Sequence, residues 1–101
     1  MDTKLFEIKT NFLNENVEKA INELKNVVEN SRIVEGEFIG QYMTEWGKKI
    51  REIFKKYGLD ADLLYDFKND GYHIAIMVDI DYIGKVKVSW VENNKVFCLL
   101  P

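Results

Sequence analysis

The chain predicts an α+β domain: two antiparallel N-terminal helices packed on one face of a four-stranded antiparallel β-meander, in the order ααββββ. Three observations carry that expectation. Apolar residues recur every three or four positions as far as Tyr57, and the period then changes to two. Turn-forming clusters such as Asn69-Asp70-Gly71 separate the alternating runs. At 101 residues there is room for one core, so residues 1–101 read as a single domain.

The first segment has two readings. Leu5, Ile8 and Phe12 have helical spacing, yet Thr10, Asn11, Asn14 and Asn16 are weak helix formers. Lys4 to Ile8 therefore serves either as a helical turn or as a short strand on a sheet edge. From Asn14 the pattern is firm: Val17, Ala20, Ile21, Leu24, Val27 and Val28 make one stripe. Asn14 suits an N-cap, with Glu15 and Glu18 in the first turn, so a helix is expected over 14–31.

Arg32 to Gly36 reads as the connection to a second helix over 37–57. There Phe38, Tyr42, Trp46, Ile50, Ile53 and Tyr57 form the apolar face, widened by Ile39, Met43 and Phe54. Gly58 supplies the left-handed residue that ends it. Gly40 and Gly47, seven apart, either admit a close backbone approach or are simply tolerated.

Strands are expected over 62–68, 72–81, 85–92 and 96–100, with Asp60-Ala61-Asp62 as an alternative helix cap. With Asp70-Gly71 as the first loop, Tyr65 faces Ile76 and Phe67 faces Ile74. Three-residue turns at Asp81 to Ile83 and Asn93 to Lys95 then set Val78 against Val86, Asp79 against Lys85 and Trp90 against Cys98. The inner face carries Ile74, Ile76, Val78, Ile80, Val86, Val88, Trp90 and Cys98. The outer face carries His73, Met77, Asp79, Val91, Phe97 and Leu99.

That assignment leaves the final strand apolar on both faces, which is a liability for a sheet edge. It is covered by Lys4 to Ile8, by a second copy in a homodimer, or by a different protein. Met77, Val91, Phe97 and Leu99 are accordingly the expected partner-binding anchors. Asp79 and Asp81 would supply attraction to a partner with a basic surface.

No catalytic constellation is legible. His73 stands alone, with no carboxylate placed beside it; Asp79 is roughly 20 Å along the strand. Asp79-Ile80-Asp81 is too short a pattern to imply a cation site. Cys98 alternates with core residues and reads as a small buried hydrophobe, and one cysteine makes neither a disulfide nor a cysteine metal cluster. Glycine-rich phosphate loops and nucleophile elbows are absent from the sequence.

A net charge of −3 and a pI near 5.2 argue against direct nucleic-acid binding. The basic helix residues Lys48, Lys49, Arg51, Lys55 and Lys56 are diluted by Glu45 and Glu52. With neither a signal-peptide pattern nor an apolar run of spanning length, a cytoplasmic location and no membrane contact are expected.

The expected function is that of a small non-enzymatic, cofactor-free binding protein acting by contact with another protein. An inhibitor of a toxin, or of a nucleic-acid-handling defence enzyme, fits that description. The alternative is a small-molecule-binding regulatory domain with a pocket lined by Tyr42, Trp46, Tyr65 and Trp90.

Overall fold

The computed structural model describes residues 5–8 and 14–101. In chain order the elements are β1 (Phe6–Ile8), α1 (Glu15–Glu29), β2 (Arg32–Glu35), α2 (Ile39–Lys56), β3 (Ala61–Lys68), β4 (Gly71–Val78), β5 (Asp81–Lys87), β6 (Ser89–Glu92) and β7 (Lys95–Leu100). The α+β class holds. The single meander does not: the strands form a four-stranded sheet ordered β1-β5-β4-β3 and a three-stranded sheet ordered β2-β7-β6. Of the ambiguous N-terminal segment, Phe6–Ile8 is a strand; Lys4 and Phe12 lie outside the described residues.

The helices form where their end signals and stripes put them. The Asn14 side chain accepts a hydrogen bond from the Val17 amide at 2.8 Å, and Val17, Ala20, Ile21, Leu24 and Val28 are buried. In α2 the buried residues are Met43, Trp46, Gly47, Ile50, Ile53 and Phe54. Phe38 caps the helix without a side-chain bond and stays exposed, so the packed stripe starts at Ile39, one residue later than its periodicity implied. The helix closes in a Schellman arrangement. Gly58, at φ +75°, donates to the Lys55 carbonyl and Leu59 to the Phe54 carbonyl.

The joint between the sheets is at Val88. Its amide donates to the Tyr72 carbonyl of β4, and its own carbonyl accepts from the Leu99 amide of β7. One residue thus bonds into both sheets, which is why the run expected as one strand over 85–92 is two. Gly71 makes the joint possible. A Cβ there would lie 2.1 Å from the Ser89 carbonyl oxygen, and its φ is +118°. The Asp70-Gly71 pair that read as the hairpin loop is therefore half strand, and the loop is Asn69-Asp70. The register becomes Tyr65 with Ile74 and Phe67 with Tyr72, a slip of two that keeps every side chain on its expected face.

The other two hairpins differ more. The β4–β5 turn is Asp79-Ile80, so Val78 pairs with Asp81 and Ile74 with Val86. Between Gly84 opposite Ile76 and Tyr82 opposite Met77, Ile83 is an extra residue, a bulge that turns it into the core. The β6–β7 turn is Asn93-Asn94, with φ of +52° and +63°, as a two-residue loop prefers. Trp90 then faces Phe97, not Cys98. That slip of one reverses the final strand.

The final strand is not an edge. β7 lies between β2 and β6, and the strand covering it is Arg32–Glu35, the stretch expected to be a mere connection. β1 pairs with β5 instead. One core cluster joins both helices to both sheets, with Trp46, Phe54, Ile50, Ile74 and Leu99 fully enclosed. Trp46 Nε1 donates to the Leu99 carbonyl at 2.7 Å, tying α2 to β7. Among the described residues no helix is long and apolar enough to cross a membrane.

Candidate functional site

The six expected partner-binding residues fall in two places. Val91, Phe97 and Leu99 belong to the β2-β7-β6 sheet, and two of them are not surface anchors. Leu99 is 1% exposed and part of the core. Phe97 is half-buried, stacked on Trp90 with ring centroids 5.8 Å apart. The one-residue slip of β7 is the cause, since it turns Leu99 and Phe97 toward the side of Trp90. Val91 remains exposed. Both edges of the final strand are already paired, so a second copy cannot add a strand to it.

Met77, Asp79 and Asp81 stay together at one end of the larger sheet. Asp79 and Ile80 form the two-residue turn, with Asp79 at φ +56°, a left-handed value that Asp and Asn tolerate better than other side chains do. Ile80 projects from the tip at 89% exposure, the highest of the large hydrophobic side chains. Asp79 and Asp81 are exposed on either side of it. Ala61 pairs with Val78, so Asp60, also exposed, lies at this same end.

Lys85 does not neutralise Asp79 as expected. It pairs across the sheet with Ala75 and Glu7, because the turn has two residues and Asp79 is in it. Among the described residues none of Asp60, Asp79 and Asp81 is in an ion pair. Ile80 was expected to face the core. No glycine or asparagine announces a turn in Val78-Asp79-Ile80-Asp81, while Asp81 to Ile83, the expected turn, lies inside β5.

Beside this end a groove of about 570 Å³ runs between α2 and β3. Met43, Leu59, Ala61 and Tyr65 give it an apolar floor, Lys48, Arg51, Glu52 and Lys55 line its helix side, and Asp60 borders it at the start of β3. Gly47 shapes it: a Cβ there would sit 1.8 Å from Tyr65 Oη, so the missing side chain seats the tyrosine. Gly40 meets nothing within 4 Å. Of the four aromatics expected to line one pocket, only Tyr65 is here. Trp46 and Trp90 are core, and Tyr42 borders a separate hollow with Gly36 and Phe38.

His73 does have a carboxylate neighbour. Its Nε2 lies 3.0 Å from Asp70 Oδ1, and Lys87 Nζ donates to Asp70 Oδ2 at 3.1 Å. The two-residue loop brings Asp70 back over the start of β4, which the expected longer register did not allow. The His73 hydrogen bond is the largest cause holding the Asp70 carboxyl down at about 2. Lys87 adds to it, while partial desolvation works the other way. This cluster pins the β3–β4 turn to β5. Cys98 is buried, and desolvation pushes its thiol up, away from the reactive thiolate. No family model, curated protein or solved structure matches the chain.

Proposed function

We propose that this chain is a small non-enzymatic binding protein of the cytoplasm that works by contact with another protein, in the manner of an inhibitor of a toxin or of a nucleic-acid-handling defence enzyme. The observation that carries this reading is the β4–β5 tip. A large apolar side chain stands almost fully in solvent at Ile80, between unpaired carboxylates at Asp79 and Asp81, with Asp60 at the same end. An apolar knob ringed by like charge suits a partner with an apolar hollow inside a basic rim, such as the substrate groove of an enzyme that handles nucleic acid. Ile80 would fill the hollow, the carboxylates would replace the anionic substrate at the rim, and blockade would be steric. Long-range attraction between the acidic tip and the basic rim raises the association rate and makes it salt-sensitive.

The test uses the whole chain as bait in its native host. Asp60→Asn, Asp79→Asn and Asp81→Asn together remove the charge while keeping a side chain that tolerates the left-handed turn. Ile80→Ser removes the knob. Each variant is expected to keep the parent melting temperature within a few degrees and lose the captured protein. Capture unchanged in both variants would contradict the proposal.

A second reading rests on the α2–β3 groove, whose apolar floor and cationic wall suit a small anionic ligand carrying an apolar body. It predicts a ligand-dependent rise in melting temperature that Arg51→Ala abolishes.

A further inference from the structure

Among the described residues the longest free sheet edge is β3. The other outer strands are short, three residues in β1 and four each in β2 and β6, which is how natural sheets blunt their edges. β3 has eight, and among the described residues nothing pairs with its outer side. Three of its large apolar side chains are exposed, Leu64 at 57%, Tyr65 at 45% and Phe67 at 63%. Such an edge is a template for another strand.

We infer that the occupant is the same strand of a second copy, antiparallel, about a two-fold axis through Tyr65. The choice of partner follows from charge and register. In an antiparallel pair, directly opposed residues share a face, so a two-fold axis through the sheet must pass through a residue that opposes itself. Centring the pair on Leu64 sets Asp62 against Asp66 of the copy, and centring it on Asp66 sets that aspartate against itself. Both place like charges opposite one another.

Centring on Leu63 leaves Phe67 uncovered. Centring on Tyr65 sets Asp62 against Lys68 of the copy, twice by symmetry, and Leu63 against Phe67 of the copy, also twice. That register spans Asp62 to Lys68. It is the one long overlap that joins opposite charges and covers the exposed ring.

The dimer so formed has a functional consequence. Its Ala61 ends point away from each other and stand roughly 27 Å apart along the joined strands, eight residues at strand rise, with the two acidic tips farther apart still, beyond those ends. The chain would then present two equivalent docking knobs. This inference uses a different surface from the tip, and its variants leave Asp60, Asp79, Ile80 and Asp81 untouched.

Sedimentation equilibrium over a range of concentrations tests the pairing. Wild type is expected to dimerise. Asp62→Lys and Lys68→Asp each turn two attractions into two repulsions and should weaken association by about 30-fold. The double variant should recover wild-type association, with melting curves verifying that all four proteins are folded. Register is read separately by oxidation. Tyr65→Cys opposes itself within disulfide reach and should give a covalent dimer, whereas Leu64→Cys is displaced by two residues from its own copy and should not. A monomer at every concentration up to about 1 mM, a folded double variant that stays weakened, or cross-linking at position 64 in preference to 65 would each overturn it.

Discussion

Replacing Phe97 by aspartate and, in a separate protein, Val91 by aspartate distinguishes the observed final strand from the one that simple alternation suggests. In an unslipped register both residues face outward, opposite each other, and both changes would be mild. In the structure Phe97 is half-buried against Trp90, whereas Val91 is 42% exposed on an edge strand. Removing a fully buried phenylalanine costs about 3–5 kcal/mol, so half-burial puts the loss near 2 kcal/mol. Placing a carboxylate against the indole adds about 1 kcal/mol or more.

A total of about 3 kcal/mol lowers the melting temperature of a domain this size by roughly 12–24 °C. Val91→Asp loses the part of a valine that is covered and some strand preference, about 1 kcal/mol and roughly 5 °C. Thermal unfolding followed by far-ultraviolet circular dichroism reads both. A Phe97→Asp protein that melts within about 4 °C of the parent, or a Val91→Asp protein that fails to fold, would refute the reversed strand.

Two further outcomes follow from particular contacts. Gly71→Ala should cost more than about 3 kcal/mol in urea unfolding, because its Cβ meets the Ser89 carbonyl at 2.1 Å and its φ suits glycine alone; a loss under about 1 kcal/mol would mean the sheet joint can open. Asp70, held at about 2 against an ordinary 3.8, stabilises the folded state fully above about pH 4 and loses that contribution as pH falls toward 2. Its side chain is 58% exposed, so solvent screening cuts the contribution to about 1 kcal/mol. Asp70→Asn should therefore be less stable than the parent at about pH 7, and the gap should narrow at about pH 2. An equal gap at both would contradict the cluster's role.

What the sequence disclosed divides along physical lines. Periodicity and end signals carry the helices, since Asn14, Gly58 and the apolar stripes act within a few residues of the backbone they shape. Alternation also assigns the inward sides of Ile74, Ile76, Val86 and Val88, because a slip by an even number of residues leaves faces unchanged. What stays hidden depends on single-residue offsets or distant pairing. The bulge at Ile83 and the Asn93-Asn94 loop each move a register by one, and nothing in local composition distinguishes a two-residue from a three-residue turn there.

Arg32 to Glu35 has a charged residue at each end and looks like a linker until β7 is available to pair with it. The tip at Ile80 is hidden for a related reason. Its turn is made by an aspartate in a left-handed conformation, while the residues expected to turn, Asp81 to Ile83, belong to the strand beside it. The acidic character of that end was legible, but the exposed isoleucine was not.

The most direct test of the proposed interaction surface is site-specific photo-cross-linking in the native host, with a benzophenone amino acid placed at Ile80 and, as a control on the other sheet, at Val91. Both sites are exposed, so each protein should fold and accumulate alike. The account predicts a protein adduct from position 80, reduced when Asp79 and Asp81 are also changed to asparagine, and none from position 91. Adducts at 91 with none at 80 would contradict it and move the working surface to the smaller sheet.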